Sequence, residues 1–235
     1  MRPSLFELWR ACGVFPPGRG ECLKPGQVLV HALPLDRGSM KAVWPILSHD
    51  EQARVASYGR ELDGLRFAIS RTLLRGMLGL YTGINPHNLI FLYGPHGRPR
   101  LALDQANDLD FNLARRDDCC VIALGLGRRV GIDLESRCLS KLVEATVMMS
   151  AREDRYTPEE ARGDERCIRL IEEWTALEAR AKAIGIGLCD MVTHNAALTC
   201  RKFELGKEWI GCIASEGHNW HFKLILETNL ITNSI

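Results

Sequence analysis

The sequence predicts an α+β fold of two similar lobes, on three observations. Stretches with helical spacing of apolar residues are followed by runs of short strands, and this order occurs twice along the chain. The strands are marked off by clusters of Gly, Pro, Asn and Asp. The composition, 46% hydrophobic and 25% charged over 235 residues, suits a globular chain able to bury a sizeable core.

The elements follow in order. Residues 1–26 are rich in Gly and Pro, as in Phe15-Pro16-Pro17-Gly18, and are expected to form an irregular lead-in. Gln27 to Leu35 alternates as a strand does. Ser48 with Glu51 three positions on has the form of a capping box, so a helix starts there. A second helix is expected from Asp63 to Leu80, with Leu65, Ile69, Leu73 and Met77 one turn apart. Asn85-Pro86 closes that connection. Five short strands follow: Leu89–Tyr93, Arg98–Leu103, Asp110–Arg115, Cys119–Leu126 and Val130–Leu134. The second half repeats the plan. Helices are expected over Glu144–Met149, Ala151–Ala161 and Glu165–Ile184, the last ended by Gly185-Ile186-Gly187. Strands are expected over Ala197–Glu204, Trp209–Ala214 and Trp220–Glu227, with Glu216-Gly217-His218-Asn219 as a hairpin turn between the last two. The expected divisions are a lead-in of residues 1–26, an N-terminal lobe of 27–135 and a C-terminal lobe of 136–235.

Charge and cysteine content narrow the setting. Thirty Lys and Arg against 29 Asp and Glu leave a net charge of +1, with no global pull toward nucleic acid or a membrane surface. Nine cysteines are scattered without a C-x-x-C pair, which points to reduced thiols in a reducing compartment. No apolar run reaches the length of a membrane span, and the N-terminus has no signal-peptide pattern. A cytoplasmic protein is expected, with neither nucleic acid nor membrane as partner.

Three carboxylates carry the chemistry. Val130-Gly131-Ile132-Asp133-Leu134-Glu135 reads as a strand, and residues two apart on a strand share a face. Asp133 and Glu135 therefore present their oxygens side by side. Glu178 lies in an Ala-rich helical run, with Lys182 one turn on. A hard divalent cation such as Mg²⁺ takes a few carboxylates and completes its shell with phosphate and water. On spacing alone, the commoner meaning of such a set is two solvated acids and a surface Glu–Lys pair.

The ordered series of motifs resembles the surfactin-type 4′-phosphopantetheinyl transferases. That family carries G-[IV]-D-x-E, then W-x-x-K-E-[AS]-x-x-K-x-x-G-x-G-L. Here the second motif is Trp174, Glu178, Ala179, Lys182, Gly185, Gly187 and Leu188. Arg66-Phe67 and Arg71 to Arg75 resemble its Arg-rich helix, Tyr93 to Leu101 its hairpin, and Phe111-Asn112-Leu113 the start of its F-N-[IL]-S-H-S strand. The resemblance runs from about residue 46 to 190.

It implies a pseudo-twofold pair of lobes with the ligand cleft between them. It implies an Mg²⁺-dependent enzyme, with Mn²⁺ as substitute, moving phosphopantetheine from coenzyme A to a serine of an acyl or peptidyl carrier protein of secondary metabolism. A monomer is expected, because the second lobe replaces the partner subunit of smaller relatives. The implied metal ligands are Asp133, Glu135 and Glu178. Glu178, Glu135 and Lys182 are the implied catalytic residues. Arg66, Arg98, Arg115 and Lys182 would hold the coenzyme. Glu153 matches a further family acid and reads equally as a solvated helix residue. Arg54, Arg71 and Arg75 are weaker candidates for the basic patch.

The departures define an alternative. Where the family has Ser-His-Ser, this chain has Ala114-Arg115-Arg116. The lysine before the motif glutamate is Leu177, Gly-Lys-Gly has become Gly185-Ile186-Gly187, and an arginine of the helix is Gly64. The alternative is a repurposed member that binds coenzyme A or a carrier protein without the transfer, or acts on a carrier-bound chain. His87, His96, His194, His218 and His221 have no metal-ligand spacing, and Gly125-Leu126-Gly127 is too short for a dinucleotide loop.

Overall fold

The computed structural model describes residues 22–35, 38–106, 108–137, 164–188 and 197–226. The expected helices 144–149 and 151–161, most of the lead-in, Glu153 and His194 lie outside the described residues.

Strand β1 (Gln27–Pro34) is the middle of the first sheet and is buried on both faces. Its side chains alternate, so Leu29 and Leu33 enter one core and Val28, Val30 and Ala32 another. β5 (Cys119–Leu126) pairs antiparallel with β1 and divides likewise, with Cys120, Ile122 and Leu124 against Cys119, Val121 and Ala123. Each Leu or Ile fully buried in this way contributes about 1.5–3 kcal/mol. β4 (Leu109–Arg116) completes that edge through β5.

The first face is covered by helices. α1 is Met40–Val43 and α2 is His49–Ala56. The long α3 (Glu61–Thr82) buries Ala68, Ile69, Leu73, Leu74, Met77 and Leu78. The capping box before α2 is present: Ser48 N–H donates to Glu51 Oε2 at 2.9 Å, and Glu51 N–H donates to Ser48 Oγ at 3.3 Å. A small hairpin of β2 (Phe91–Tyr93) and β3 (Pro99–Leu101) follows. The short helix α4 (Leu103–Ala106) stands where the sequence suggested strand end. Gln105 explains it: its Oε1 accepts from Ile90 N–H at 2.8 Å and its Nε2 donates to the Asn88 carbonyl at 3.0 Å, a tertiary tie invisible to periodicity.

The other face packs on a second sheet of β6 (Val130–Ser136), β8 (Trp209–Glu216) and β7 (Leu198–Leu205), in that order. Val130, Ile132, Leu134, Phe203, Leu205 and Ile213 fill the space between the sheets. The long α5 (Asp164–Ile184) lies on the far side of this sheet, against β6 and β8. It ends at Gly185, whose φ of +76° is the left-handed conformation that favours glycine, and whose N–H donates to the Ala181 carbonyl at 2.8 Å.

One expectation is corrected. Glu216 to Asn219 does not close a hairpin. The chain crosses back, and β9 (His221–Leu226) pairs parallel with β1 in the first sheet. Trp220, buried between the sheets with its Nε1 donating to Thr199 Oγ1 at 2.6 Å, anchors that crossing. β6 makes the opposite exchange, leaving the strands before it to pair with β8. β1, β4, β5 and β9 thus share the first sheet, and β6 shares the second with β7 and β8. The fold is mixed α and β, as the sequence predicts.

Candidate active site

The site begins at a glycine. Gly131 lies on the face of β6 toward α5, and a Cβ there would overlap the backbone of Ala179 and Ala183. Small residues on both sides let the helix lie close: Ala179 and Ala183 on α5, Ala214 and Cys212 on β8. Asp133 and Glu135, two and four residues after Gly131, share its face and are carried under the helix. Both are buried. Lys182 Nζ meets Asp133 Oδ1 at 2.5 Å.

Burial dominates the electrostatics. It raises the Asp133 carboxyl above its ordinary range, with Lys182 opposing. It pushes Glu135 up to about 7, against the pull of Arg116 and with the repulsion of Asp133 and Glu178 adding to it. Glu178 is raised too, by burial first and then by Asp133. The three acids therefore sense one another's charge. Oδ2 of Asp133 and Oε2 of Glu135 are buried without a hydrogen-bond partner. Such a set of mutually repelling, under-satisfied hard oxygens suits a divalent cation. As they stand, no three Asp, Glu, His or Cys side chains among the described residues are close enough to hold one, and Lys182 occupies Asp133.

β4 links the acids to a basic cleft. Its alternation sends Asp110, Asn112, Ala114 and Arg116 toward β6, and Phe111, Leu113 and Arg115 toward α3. Asp110 Oδ2 accepts from Val130 N–H at 2.8 Å, and Asn112 Oδ1 accepts from Ile132 N–H at 2.9 Å. These side chains do the work of ladder bonds between two strands of different sheets. Arg116 Nε then stands 3.4 Å from Glu135 Oε2. Arg115 turns the other way. Its guanidinium donates to the Tyr58 hydroxyl at 2.7 Å and lies 5.1 Å from the Phe67 ring centre.

Arg115, Arg116, Arg66 and Tyr58 line one small cleft of about 240 Å³. Arg115 and Tyr58 also line a larger one of about 540 Å³, together with Arg54, Phe67, Arg71 and Tyr93. Arg66 is held by Asp118, with Nε and Nη2 donating to one carboxylate oxygen at 3.0 and 2.7 Å.

Arg98 stands elsewhere. Its buried guanidinium donates to Asp110 Oδ2 at 2.7 Å and to the Val130 carbonyl at 2.9 Å, and it lines neither cleft. The structure thus gives it a framework task, tying the β2–β3 hairpin to β4 and β6. Arg75 is likewise framework, and Arg71, which lines the larger cleft, is pinned beside it. Both pair with buried Glu51, at 2.8 and 2.7 Å, and Arg75 also donates to the carbonyls of Pro86 and Leu89. Sequence reasoning missed Tyr58 and gave Arg116 no role. Tyr58 had no signal, since it follows α2 in an unpatterned turn. Arg116 was legible, because strand alternation places it opposite in sense to Arg115.

Comparison with known proteins finds three relatives of like name. No protein-family model matches the chain. It is 30% identical over 156 residues to slr0495 of Synechocystis sp., provisionally named a 4′-phosphopantetheinyl transferase, covering 66% of this chain and 63% of that protein. It is 29% identical over 177 residues to the 4′-phosphopantetheinyl transferase HetI of Nostoc sp., covering 74% and 75%. It is 26% identical over 154 residues to a phosphopantetheinyl transferase of Thraustochytrium sp., covering 60% and 54%. The match thus spans less than two thirds of the first and third of these relatives. All three relatives bear the name phosphopantetheinyl transferase, and this is what the chain is similar to; their names do not single out a surfactin-type branch.

Proposed function

We propose that the chain transfers 4′-phosphopantetheine from coenzyme A to a serine of an apo acyl or peptidyl carrier protein, as a cytoplasmic monomer of the surfactin-type branch. The carrying observation is that Asp133 and Glu135, buried under α5, feel the charges of Glu178 and Lys182 on that helix, and that Arg116 joins Glu135 to a cleft lined also by Arg66 and Arg115. The two similar lobes of this reading are α3 with the first sheet and α5 with the second, tied by the exchanged strands β6 and β9.

The residues divide the work by charge. Arg115 and Arg66 hold the nucleotide's 3′-phosphate, where a guanidinium fork suits phosphate oxygens. The aromatic walls of Tyr58, Phe67 and Tyr93 give the larger cleft an apolar surface for the remainder of the nucleotide. Asp133, Glu135 and Glu178 would hold Mg²⁺ or Mn²⁺ once Lys182 lets go of Asp133, and the ion would supply Lewis-acid charge at the pyrophosphate. The serine hydroxyl attacks the β-phosphorus, and its proton passes to Glu178, or to Glu135 through a water. The bond from that phosphorus to the bridging oxygen breaks, and adenosine 3′,5′-bisphosphate leaves. Lys182, freed from Asp133, and Arg116, beside Glu135, neutralise the charge that gathers on the phosphates.

A second reading is favoured by Ala114, which is buried in the core where the family carries a serine, and by exposed Leu177. In it the chain binds coenzyme A or a carrier without the transfer. The deciding experiment incubates the protein with apo carrier protein, coenzyme A and Mg²⁺ and follows intact carrier mass. Gain of phosphopantetheine supports the transferase. No gain over a panel of carriers, with coenzyme A still bound, selects the second reading.

A further inference from the structure

Tyr58 and Arg115 line both clefts. Among the described residues Arg115 has no carboxylate partner, whereas Arg66, Arg71 and Arg116 of the same clefts pair with Asp118, Glu51 and Glu135. Neutral groups fix its guanidinium instead. Nη2 donates to the Tyr58 hydroxyl at 2.7 Å, and Nη1 donates to Ser70 Oγ at 3.5 Å. The Ser70 hydroxyl itself donates to the Phe67 carbonyl at 2.8 Å, which leaves its lone pairs to Arg115. The rings of Tyr58 and Phe67 stand 5.7 and 5.1 Å from the guanidinium carbon, and 5.6 Å from each other. Tyr58 is seated in turn by α3. Its N–H donates to the Val55 carbonyl at 3.2 Å. A Cβ at Gly64 would stand 3.3 Å from that carbonyl oxygen and 3.7 Å from Tyr58 Cβ, so a longer side chain there would lift the turn away. Gly64 and Arg115 are two of the departures from the resembling family, and Tyr58 connects them.

We infer that Tyr58 is a positioning residue, whose hydroxyl orients Arg115 so that this one guanidinium reads the nucleotide's 3′-phosphate at the place where the resembling family carries a histidine. The inference rests on the reading of these clefts as a coenzyme A site. A free arginine side chain loses much rotamer freedom when a phosphate immobilises it, and that loss weakens binding. Arg115 has its orientation set beforehand by Tyr58, Ser70 and the two rings. None of these partners neutralises it, so its whole charge faces the clefts. Its remaining N–H groups are left for phosphate oxygens, in the planar fork that suits them. Removal of the Tyr58 hydroxyl takes away the shorter of its two hydrogen bonds and leaves the ring, so the charge stays and its aim is lost.

The test titrates the full chain with coenzyme A and with 3′-dephospho-coenzyme A in a calorimeter. The ratio of the two affinities reads the 3′-phosphate alone. Tyr58→Phe should lower that ratio about five- to tenfold, the worth of one hydrogen bond. Arg115→Ala should lower it at least as far. Tyr58→Phe added to Arg115→Ala should lower it no further, because Tyr58 acts through Arg115. If Tyr58 only supported the wall of the cleft, Tyr58→Phe would weaken both ligands alike and leave the ratio in place, and that result overturns the inference. An equal drop from Tyr58→Phe with and without Arg115 also overturns it. The two failures of interest are distinct. A wild type that binds both ligands equally removes the coenzyme reading of Arg115, and the inference with it. A wild type that prefers coenzyme A, beside a Tyr58→Phe variant that keeps the whole preference, removes the inference alone.

Discussion

Gly131 of β6 and Ala179 of α5 meet backbone to backbone, with no room for a side chain between them. The contact sets how deeply α5 sits, and so where Glu178 and Lys182 stand over Asp133 and Glu135. Gly131→Ala is expected to lift the helix off the sheet and cost about 3 kcal/mol, at the upper end of overpacking effects. Urea unfolding of the metal-free protein measures this. A loss under about 1 kcal/mol would show that the helix is not held by that contact.

Asp133 is the next test. Its charge is disfavoured by burial and relieved by Lys182, which is one third exposed and can turn to water. Asp133→Asn therefore removes a metal ligand without leaving a buried cation behind. In chelator its thermal midpoint should equal or exceed that of the wild type, while Mn²⁺ binding in a titration calorimeter is lost. Retained Mn²⁺ binding would remove Asp133 from the metal site.

The basic cleft separates two ligands. Coenzyme A is expected to bind tighter than 3′-dephospho-coenzyme A, and Arg115→Ala to erase most of the difference, about 1.5–3 kcal/mol for a charge-assisted contact. Arg98→Lys should leave the difference in place, since Arg98 donates to Asp110 and Val130 instead. Equal affinity of the wild type for the two ligands would show that these arginines do not read the 3′-phosphate.

The legible and illegible parts of the chain divide by range. A continuous apolar run between turn residues located β5, and the Asp133–Glu135 face was readable from a two-residue period. The capping box at Ser48 and the glycine stop at Gly185 were also local signals. What escaped was non-local. A parallel partner for β9 cannot be inferred from a turn that looks like a hairpin, because β1 lies nearly 200 residues away in sequence. Arg98 matched a motif, yet only Asp110 and the Val130 carbonyl, 12 and 32 residues on, decide where its guanidinium points. Arg71 and Arg75 were weaker candidates for the basic patch, and their partner was hidden because Glu51, which binds both, sits on another helix.

That Glu51 pair carries its own prediction. Burial raises the carboxyl, but Arg71 and Arg75 outweigh it and hold the group below its ordinary 4.5. A depressed carboxylate contributes stability above the unfolded value, and the contribution is lost as pH falls through the folded one. Glu51→Gln leaves two buried guanidinium groups unpaired, so a loss of about 3–5 kcal/mol is expected at pH 7. Its stability should also fall less steeply than the wild type's on acidification below 4.5. Parallel curves for the two proteins would show that Glu51 is not the group that titrates.

Leu177 and Ile186 stand where the resembling family carries lysines, and the structure separates them. Leu177 is 38% exposed, beside Glu178. Ile186 packs with Ala181 and Ile184 beyond the end of α5. Leu177→Lys should therefore fold as the wild type does, whereas Ile186→Lys should lose about 1–3 kcal/mol by burying part of a charged side chain. A lysine at 177 adds a surface charge that steers an acidic carrier, and steering acts on association rate. Modification of a generic acidic apo carrier should then be faster in Leu177→Lys at low salt, with the gain shrinking as salt screens it. If the gain persists undiminished at high salt, the added lysine acts on the phosphates rather than on the approach of the carrier. If there is no gain, the carrier does not approach past Leu177, and the apolar face of α5 beside Glu178 is not where it docks.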